Sequence, residues 1–491
     1  MKTKNILLIA GPAVKLKIGS VNLAACRTSY PKISQLILAA IIEKEVPNAK
    51  IQILDMKLAG STNEVKFKEI NYGLNKIDVY RVGQDFSEIK DKVRQSNAIL
   101  FTNNFTHEAG VVGDLIEFCK KVNPKAKIFV GGADASVKSK YINRQAYFYS
   151  RGADCVAAGD GEIMLPELLK KQSRKENLKL LDLDSVPFPS FDSVDLSSYT
   201  ESPEGPLPKG IKPPFMYLET SRGCTQMCDF CATPFTKGRY RFMSHERIEE
   251  TLRYYKSAGI KNLLLCEDNI LSRLDVPNGR ENVLDWFNYM RKNGFVWEFS
   301  NGIELGKLTK DGAMDEELIT TLFSYNSSTG CYRTYIPLER LDTPAYRKLK
   351  PFKTEKEILA TIVHQKVPRF NIGVIIGNPK ESQKSLKIIE KRLNEIMTLV
   401  SQESAGKATA YANIFLHTPL PGSLDYDRFL QEGRLAFDIN KTPELFNFYT
   451  SVINGDTFSC YEMTELRKKM ALRINGEEAF KIWQQTGKYH Y

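Results

Sequence analysis

From Pro214 onward the chain repeats one pattern: a short apolar run of strand length, then a stretch with apolar residues at helical spacing. "FMYLETS" precedes "SHERIEETLRYYKSAGI", and "KNLLLCEDNI" precedes "VLDWFNYMRKNG". "VWEFSNGI", "TYIPLE" and "FNIGVIIG" are each followed by a helical stretch, and "ATAYANIFLHT" is the sixth strand run. A serine caps the first of these helices, Gly294 ends the second, and Thr354 is placed to cap "TEKEILATIVHQK". This alternation leaves little freedom. Parallel strands need long crossovers, and helices on the faces of the sheet supply them. Six such units predict an incomplete (β/α)6 barrel over 213–420; a full eight-unit barrel needs units that cannot be counted here. Residues 1–170 alternate in the same way, with strand runs "NILLIA", "KIQILDM", "NAILFTN", "KIFVGG" and "ADCVAAG". They predict a doubly wound, Rossmann-like parallel sheet, which binds ligands at the carboxyl ends of its strands. Between the two lies 171–212, rich in Pro, Ser and Gly, which reads as a linker. Residues 421–491 are aromatic-rich and mainly helical in pattern. The fold class is therefore α/β throughout.

Nine cysteines in 491 residues, irregularly spaced, do not make a disulfide scaffold and fit a reducing, cytoplasmic setting. No run of about 18 apolar residues marks a membrane span. The opening "MKTKNILLIAGPAVK" is basic then apolar, but it reads as a first strand ended by Gly11-Pro12 rather than a signal peptide. Net charge is +11, yet the lysines are dispersed and no basic stripe with interleaved aromatics points to nucleic acid. A solvated surface accounts for the charge.

The chemistry is concentrated in "ETSRGCTQMCDFCATPF", where Cys224, Cys228 and Cys231 are spaced C-x3-C-x2-C on the loop after the first barrel strand. Thiolates bind zinc, iron–sulfur clusters or copper. A structural zinc wants four ligands, usually in two separated pairs. Here Cys266 lies 35 positions beyond Cys231 and His245 lies 14 beyond it, and neither completes a zinc spacing. A redox C-x-x-C pair leaves Cys224 unexplained. Three thiolates on a [4Fe–4S] cubane leave one iron open to a substrate or cofactor. Cys26, Cys119, Cys155, Cys266 and Cys460 are scattered and read as small buried hydrophobes, and Cys331 as a hydrogen donor or second-cluster ligand in a radical enzyme.

C-x3-C-x-aromatic-C, with Phe230 as the aromatic, resembles the signature of the radical SAM superfamily. The resemblance implies a [4Fe–4S] cluster on Cys224, Cys228 and Cys231. S-adenosylmethionine (SAM) would be chelated at the open iron and cleaved to a 5′-deoxyadenosyl radical that abstracts hydrogen from substrate. It also implies an external electron donor such as flavodoxin or ferredoxin. "LLLCEDN" places Glu267 and Asp268 where family members carry acidic residues near the methionyl amine. "IPLERLD" places Glu339 at a polar-contact position. "GVIIGNPKES" resembles a Gly-x-Pro-x-Glu turn at Gly377, Pro379 and Glu381, and "HTPLPGS" resembles a Pro-x-Pro-Gly-Thr turn at Pro419, Pro421 and Gly422. Read bottom-up, each carboxylate serves equally as a surface or capping group, and the glycines and prolines as turn residues.

"FVGGADAS" and "GADCVAAGDGE" resemble the cobalamin-binding-type domain that precedes the barrel in one large radical SAM class. Gly131, Gly132 and Ser136 match its Gly-Gly-x-x-x-Ser turn. Gly159, Asp160, Gly161 and Glu162 match its Gly-Glu-Gly-Glu turn, with Asp for the first Glu. Glycines allow close backbone approach to a ligand. The Asp-x-His-x-x-Gly motif of other cobalamin proteins is absent; His107 lies on a different loop and reads as a helix-start residue. The resemblance covers roughly residues 4 to 430 and implies a cobalamin-dependent methyltransferase. Its acceptor would be an unactivated carbon, or phosphorus, of a biosynthetic intermediate, small molecule or peptide. A cobalamin-free cyclase, oxidase or rearrangement enzyme, and an electron-transfer protein with a structural cluster, are the other readings.

Overall fold

The computed structural model describes residues 4–25, 30–58, 63–171, 181–200, 207–342 and 355–486. Cys26 and Thr354, and the linker stretches 172–180 and 201–206, lie outside the described residues. The chain divides into two compact units. The first comprises 1–201, 229–238 and 418–452; the second comprises 202–228, 239–417 and 453–491.

In the first unit, β1 (Lys4–Ala10) lies between β4 (Ala49–Asp55) and β7 (Ala98–Thr102). The sheet continues through β8 (Lys127–Gly131) to β9 (Cys155–Val156), and all pairings are parallel. These are the five strand runs read from the sequence. Helices α1 (Ile33–Glu45) and α2 (Ala109–Val122) form crossovers, and α3 (Gly161–Lys171) follows β9 and packs on α1. Ile6, Leu8, Ile42, Ala98, Leu100 and Leu165 make one buried cluster between sheet and helices, each large side chain worth roughly 1.5–3 kcal/mol of burial.

The sequence pattern did not expose a second sheet. β2 (Ala13–Ile18), β3 (Val21–Ala25), β5 (Glu64–Tyr72) and β6 (Asn75–Val82) pair antiparallel in the order β3-β2-β6-β5. "AVKLKIGSVNLAA", read as part of a loop, is thus a hairpin turning at Gly19, where φ is 56°. Charged residues at the exposed positions hid the alternation: Lys15 and Lys17 both reach Glu64 at 2.5 Å. Tyr72 of this sheet stacks on Phe437 and donates to the Ser451 carbonyl at 2.8 Å, while Lys68 pairs with the buried Glu444 at 2.8 Å.

The second unit is built on six parallel strands in sequence order: β10 (Phe215–Leu218), β11 (Asn262–Leu265), β12 (Val296–Phe299), β13 (Gly330–Glu339), β14 (Arg369–Ile376) and β15 (Thr409–Leu416). Their crossover helices are α4 (His245–Ser257), α5 (Gly279–Lys292), α6 (Glu316–Phe323), α7 (Glu355–His364) and α8 (Gln383–Glu403). Ser244 caps α4 by accepting from the Arg247 N–H at 3.1 Å, and Gly294 follows α5 with φ 77°, as the sequence suggests. Trp297 and Phe299 both meet Phe287 of α5, so alternation turns Glu298 to the opposite, inner face. The later α10 (Cys460–Asn475) belongs to this unit too, and its Arg467 donates to the Ile414 carbonyl at 2.9 Å. Among the described residues no helix is long and apolar enough to cross a membrane.

Candidate active site

The cysteine loop leaves β10 and is pinched at its base by a two-residue antiparallel pairing, Ser221 with Phe242 and Arg222 with Arg241. Cys224, Cys228 and Cys231 are half-buried and not disulfide-bonded, and Phe230 between them is half-buried. Among the described residues the three thiols are not already drawn together as a ligand set. Cys224 has the most defined surroundings. Its sulfur accepts from the Gln226 N–H at 3.4 Å, the Asn269 side-chain amide at 3.7 Å and the Ser272 hydroxyl at 3.7 Å.

The two acidic residues after β11 lie against the same loop. Asp268 accepts from the Gly223 N–H at 3.0 Å. Glu267, only 3% exposed, accepts through Oε1 from the Thr220 N–H at 3.0 Å and the Thr220 hydroxyl at 2.7 Å. Its Oε2 is buried without a hydrogen bond. Burial outweighs the two Thr220 bonds and pushes the carboxyl up to about 7. Such a group welcomes a cation or holds a proton near neutrality.

The other barrel carboxylates are placed differently. Glu339 ends β13, buried, with a left-handed φ of 54°, a conformation uncommon for a side chain without special cause. Glu381 is committed to structure: it accepts from the Gly377 N–H at 2.9 Å and pairs with buried Arg340 at 2.5 Å, while Arg340 also holds Asp342 at 2.6 Å. Gly377 has φ 83°, and a Cβ there stands 2.9 Å from the Met463 Cγ of α10, so glycine is needed for packing as much as for any ligand. On the inner face, a bulge at Tyr332 lets both it and Arg333 reach Glu298, with Arg333 at 2.5 Å. Tyr335, two positions on, rests between Gly302 and Gly373; a Cβ on either stands within 2.7 Å of its ring or hydroxyl.

In the first unit the sequence-predicted turns come together at the ends of β7, β8 and β9. Gly132 has φ 110°, and its Cβ position lies 2.4 Å from the Asn103 carbonyl oxygen, so only glycine fits. Ser136 donates to the Gly132 carbonyl at 2.8 Å and accepts from the Gly159 N–H at 3.1 Å, tying two loops into one. Gly159 has φ 93°, whereas Gly131 and Gly161 leave ordinary room for a Cβ. Gly161 and half-buried Glu162 open α3. Half-buried His107 lies in the turn before α2 beside the Phe105 ring. Sequence reasoning missed Thr220, Gln226, Asn269, Ser272 and Glu304 around the cysteine loop. Adjacency to "LLLCED" is the one signal for Asn269; nothing in the sequence links Ser272 or Glu304 to it.

The radical SAM superfamily profile matches residues 218–393, from the last residue of β10 into α8. Cytidylyl-2-hydroxyethylphosphonate methyltransferase from Streptomyces wedmorensis is 25% identical over 356 residues, 64% of this chain and 62% of that one. Hopanoid C-3 methylase from Methylococcus capsulatus is 32% identical over 184 residues, 33% of each chain. This chain therefore spans less than two thirds of the length of either relative. Among solved structures, the radical S-adenosylmethionine methyltransferase TsrM from Kitasatospora setae, with cobalamin and a [4Fe–4S] cluster bound, superposes with a TM-score of 0.56 at 12% identity. That match covers 88% of this chain and 78% of TsrM and supports the fold of both units. The three-cysteine loop on the first of six parallel strands lies within the segment matched by the profile, so residues 218–393 form a radical SAM domain.

Proposed function

We propose that this chain is a radical SAM enzyme that reductively cleaves S-adenosylmethionine, and that it is a cobalamin-dependent methyltransferase acting on an unactivated carbon, or phosphorus, of a biosynthetic intermediate. The observation that carries the reading is the pairing of the cysteine loop with Glu267, whose buried Oε2 has no protein partner. The donor set fits the cofactors. Cys224, Cys228 and Cys231 would hold the cluster, and thiols on a loop rich in N–H and O–H donors suit a cluster's sulfurs. Glu267 and Asp268 would hold the methionyl amine, Phe230, Glu339 and Gly377 the rest of SAM. Gly131, Gly132, Ser136, Gly159, Gly161 and Glu162 would receive cobalamin, on turns that Ser136 ties together. When bound, these groups supply an adenosyl radical and a transferable methyl group; the protein supplies position and exclusion of water.

Within the chain, ionised Glu267 pairs with an ammonium, and its desolvated site makes that pairing stronger than in water. On the inner face Glu298 and Arg333 neutralise one another, so the barrel floor offers substrate no unpaired charge from that pair. The relatives named above are methylases whose own names give a phosphonate and a hopanoid as acceptors; they support methyl transfer and leave the acceptor of this chain open. A cytoplasmic location and a flavodoxin- or ferredoxin-type donor go with the reading.

The test is anaerobic purification with cobalamin supplied, then assay of iron, sulfide and cobalt per chain, 5′-deoxyadenosine release under a strong reductant, and transfer of labelled methyl. About four irons with one cobalt and labelled product support the reading. Iron and 5′-deoxyadenosine without cobalt sink the methyltransferase part and favour a cyclase or oxidase. A chain that binds iron but leaves S-adenosylmethionine intact sinks the radical enzyme itself.

A further inference from the structure

Cys224 is met by three donors from two segments: the Gln226 N–H at 3.4 Å, the Asn269 amide at 3.7 Å and the Ser272 hydroxyl at 3.7 Å. Asn269 and Ser272 are buried, 4% and 0% exposed, so water does not compete with them. An asparagine can present either oxygen or nitrogen, and here the choice is set by Glu304. Glu304 accepts from the Asn269 Nδ2 at 2.9 Å and from the Gln226 side chain at 3.3 Å. Turning the amide over would set its oxygen against a carboxylate and a sulfur together. The second N–H of Asn269 is therefore fixed on Cys224. Ser272 is oriented in turn by the Thr225 N–H, which donates to its oxygen at 3.2 Å and leaves its proton for the sulfur or for Thr225 Oγ1 at 3.1 Å.

Hydrogen bonds to ligating sulfurs withdraw electron density and stabilise the reduced, more negative state of an iron–sulfur cluster. We infer that Asn269, oriented by Glu304 and assisted by Ser272 and the Gln226 N–H, is a positioning residue that sets the reduction potential of the cluster through the Cys224 sulfur. The inference rests on the cluster assignment made above. The step concerned is a one-electron reduction: the oxidised cluster takes one electron from the external donor, no bond is made or broken, and the added charge is spread over sulfurs that Asn269 stabilises.

The experiment is a potentiometric titration of the reconstituted full-length protein with dithionite and mediators, followed by electron paramagnetic resonance of the reduced cluster. Asn269→Leu removes the donor, and the ratio of reduced to oxidised cluster at a fixed potential is expected to fall about tenfold, equivalent to about 59 mV for one electron. Asn269→Asp, nearly isosteric, replaces the donor by an acceptor and is expected to fall further. Ser272→Ala is expected to move the same way by less. Full iron content with a wild-type ratio in Asn269→Asp and Ser272→Ala overturns the inference. If Asn269→Leu does not hold its cluster, the other two variants decide. A wild-type protein that takes up no cluster removes the cluster assignment itself, and that failure is visible before any variant is made.

Discussion

At the carboxyl ends of the first unit's strands, several polar side chains bond one another, while the Asn103 Oδ1 is buried without a hydrogen bond. Ser136 joins the Gly132 and Gly159 turns, and Asp134 is held by Asn103 at 3.0 Å, Thr106 at 2.7 Å and Arg144 at 3.0 Å. The Gly132 backbone packs so closely on the Asn103 carbonyl that only glycine fits. At the ends of β10 and β11 in the second unit, buried Glu267 keeps Oε2 without a hydrogen bond beside the loop that carries Cys224 and Cys228. One region is set by close backbone packing, the other by the chemistry of particular side chains. The first is intolerant of added atoms, the reactive site of lost ones.

The sharpest break of that contrast is Cys→Ala at 224, 228 or 231. Each is expected to abolish 5′-deoxyadenosine formation and most bound iron, while the melting temperature of the metal-free protein changes little, because half-buried thiols carry little packing. A drop in the apo melting temperature would instead point to a structural role for the loop. Next in size, Gly132→Ala probes the close packing: left-handed strain alone costs about 1–3 kcal/mol, the contact with the Asn103 oxygen adds to it, and cobalamin uptake should fall while S-adenosylmethionine cleavage persists. Then comes Glu381→Ala, which leaves buried Arg340 with Asp342 alone and orphans the Gly377 N–H, and is expected to cost about 1–3 kcal/mol by denaturant unfolding.

Glu267 gives a pH signature. Its folded pKa lies above the unfolded value, so the folded state binds the proton more tightly. Its stabilising effect is present below the unfolded value near 4.5 and is lost as pH rises through about 7. Unfolding measured from pH 5 to pH 8 should show stability falling by up to roughly 3 kcal/mol, and Glu267→Gln should flatten that slope. Binding of S-adenosylmethionine should run the other way, tightening as pH rises through 7, again only with Glu267 present. Smallest is Ser136→Ala, expected to cost about 1 kcal/mol and to loosen the Gly159 loop, read as faster amide exchange at that glycine.

The reactive site was the more legible of the two in the sequence, since three cysteines in eight positions have few meanings and Glu267-Asp268 sit at a strand end. The strands of both parallel sheets were legible for a similar reason: buried parallel strands are continuous apolar runs. The antiparallel sheet was not, because "KLKI" and "KFKEINY" bury only alternate residues and carry lysines that pair with Glu64 and Asp78 across strands. Glu381 was read as a ligand-turn residue by resemblance, and nothing nearby in sequence announces the guanidinium that occupies it. Glu304 escaped altogether, for its link to Asn269 exists only once β11 and β12 are side by side.

The division of the chain has a consequence for how it is made. The first unit draws on residues 418–452, and its buried Arg144 meets Asn440, 296 positions later, at 2.7 Å. At roughly 5–20 residues per second, a ribosome needs on the order of 15–60 s to span the 296 positions from Arg144 to Asn440. For that interval the amino-terminal sheet waits on the tunnel for its last pieces, with the whole barrel synthesised in between.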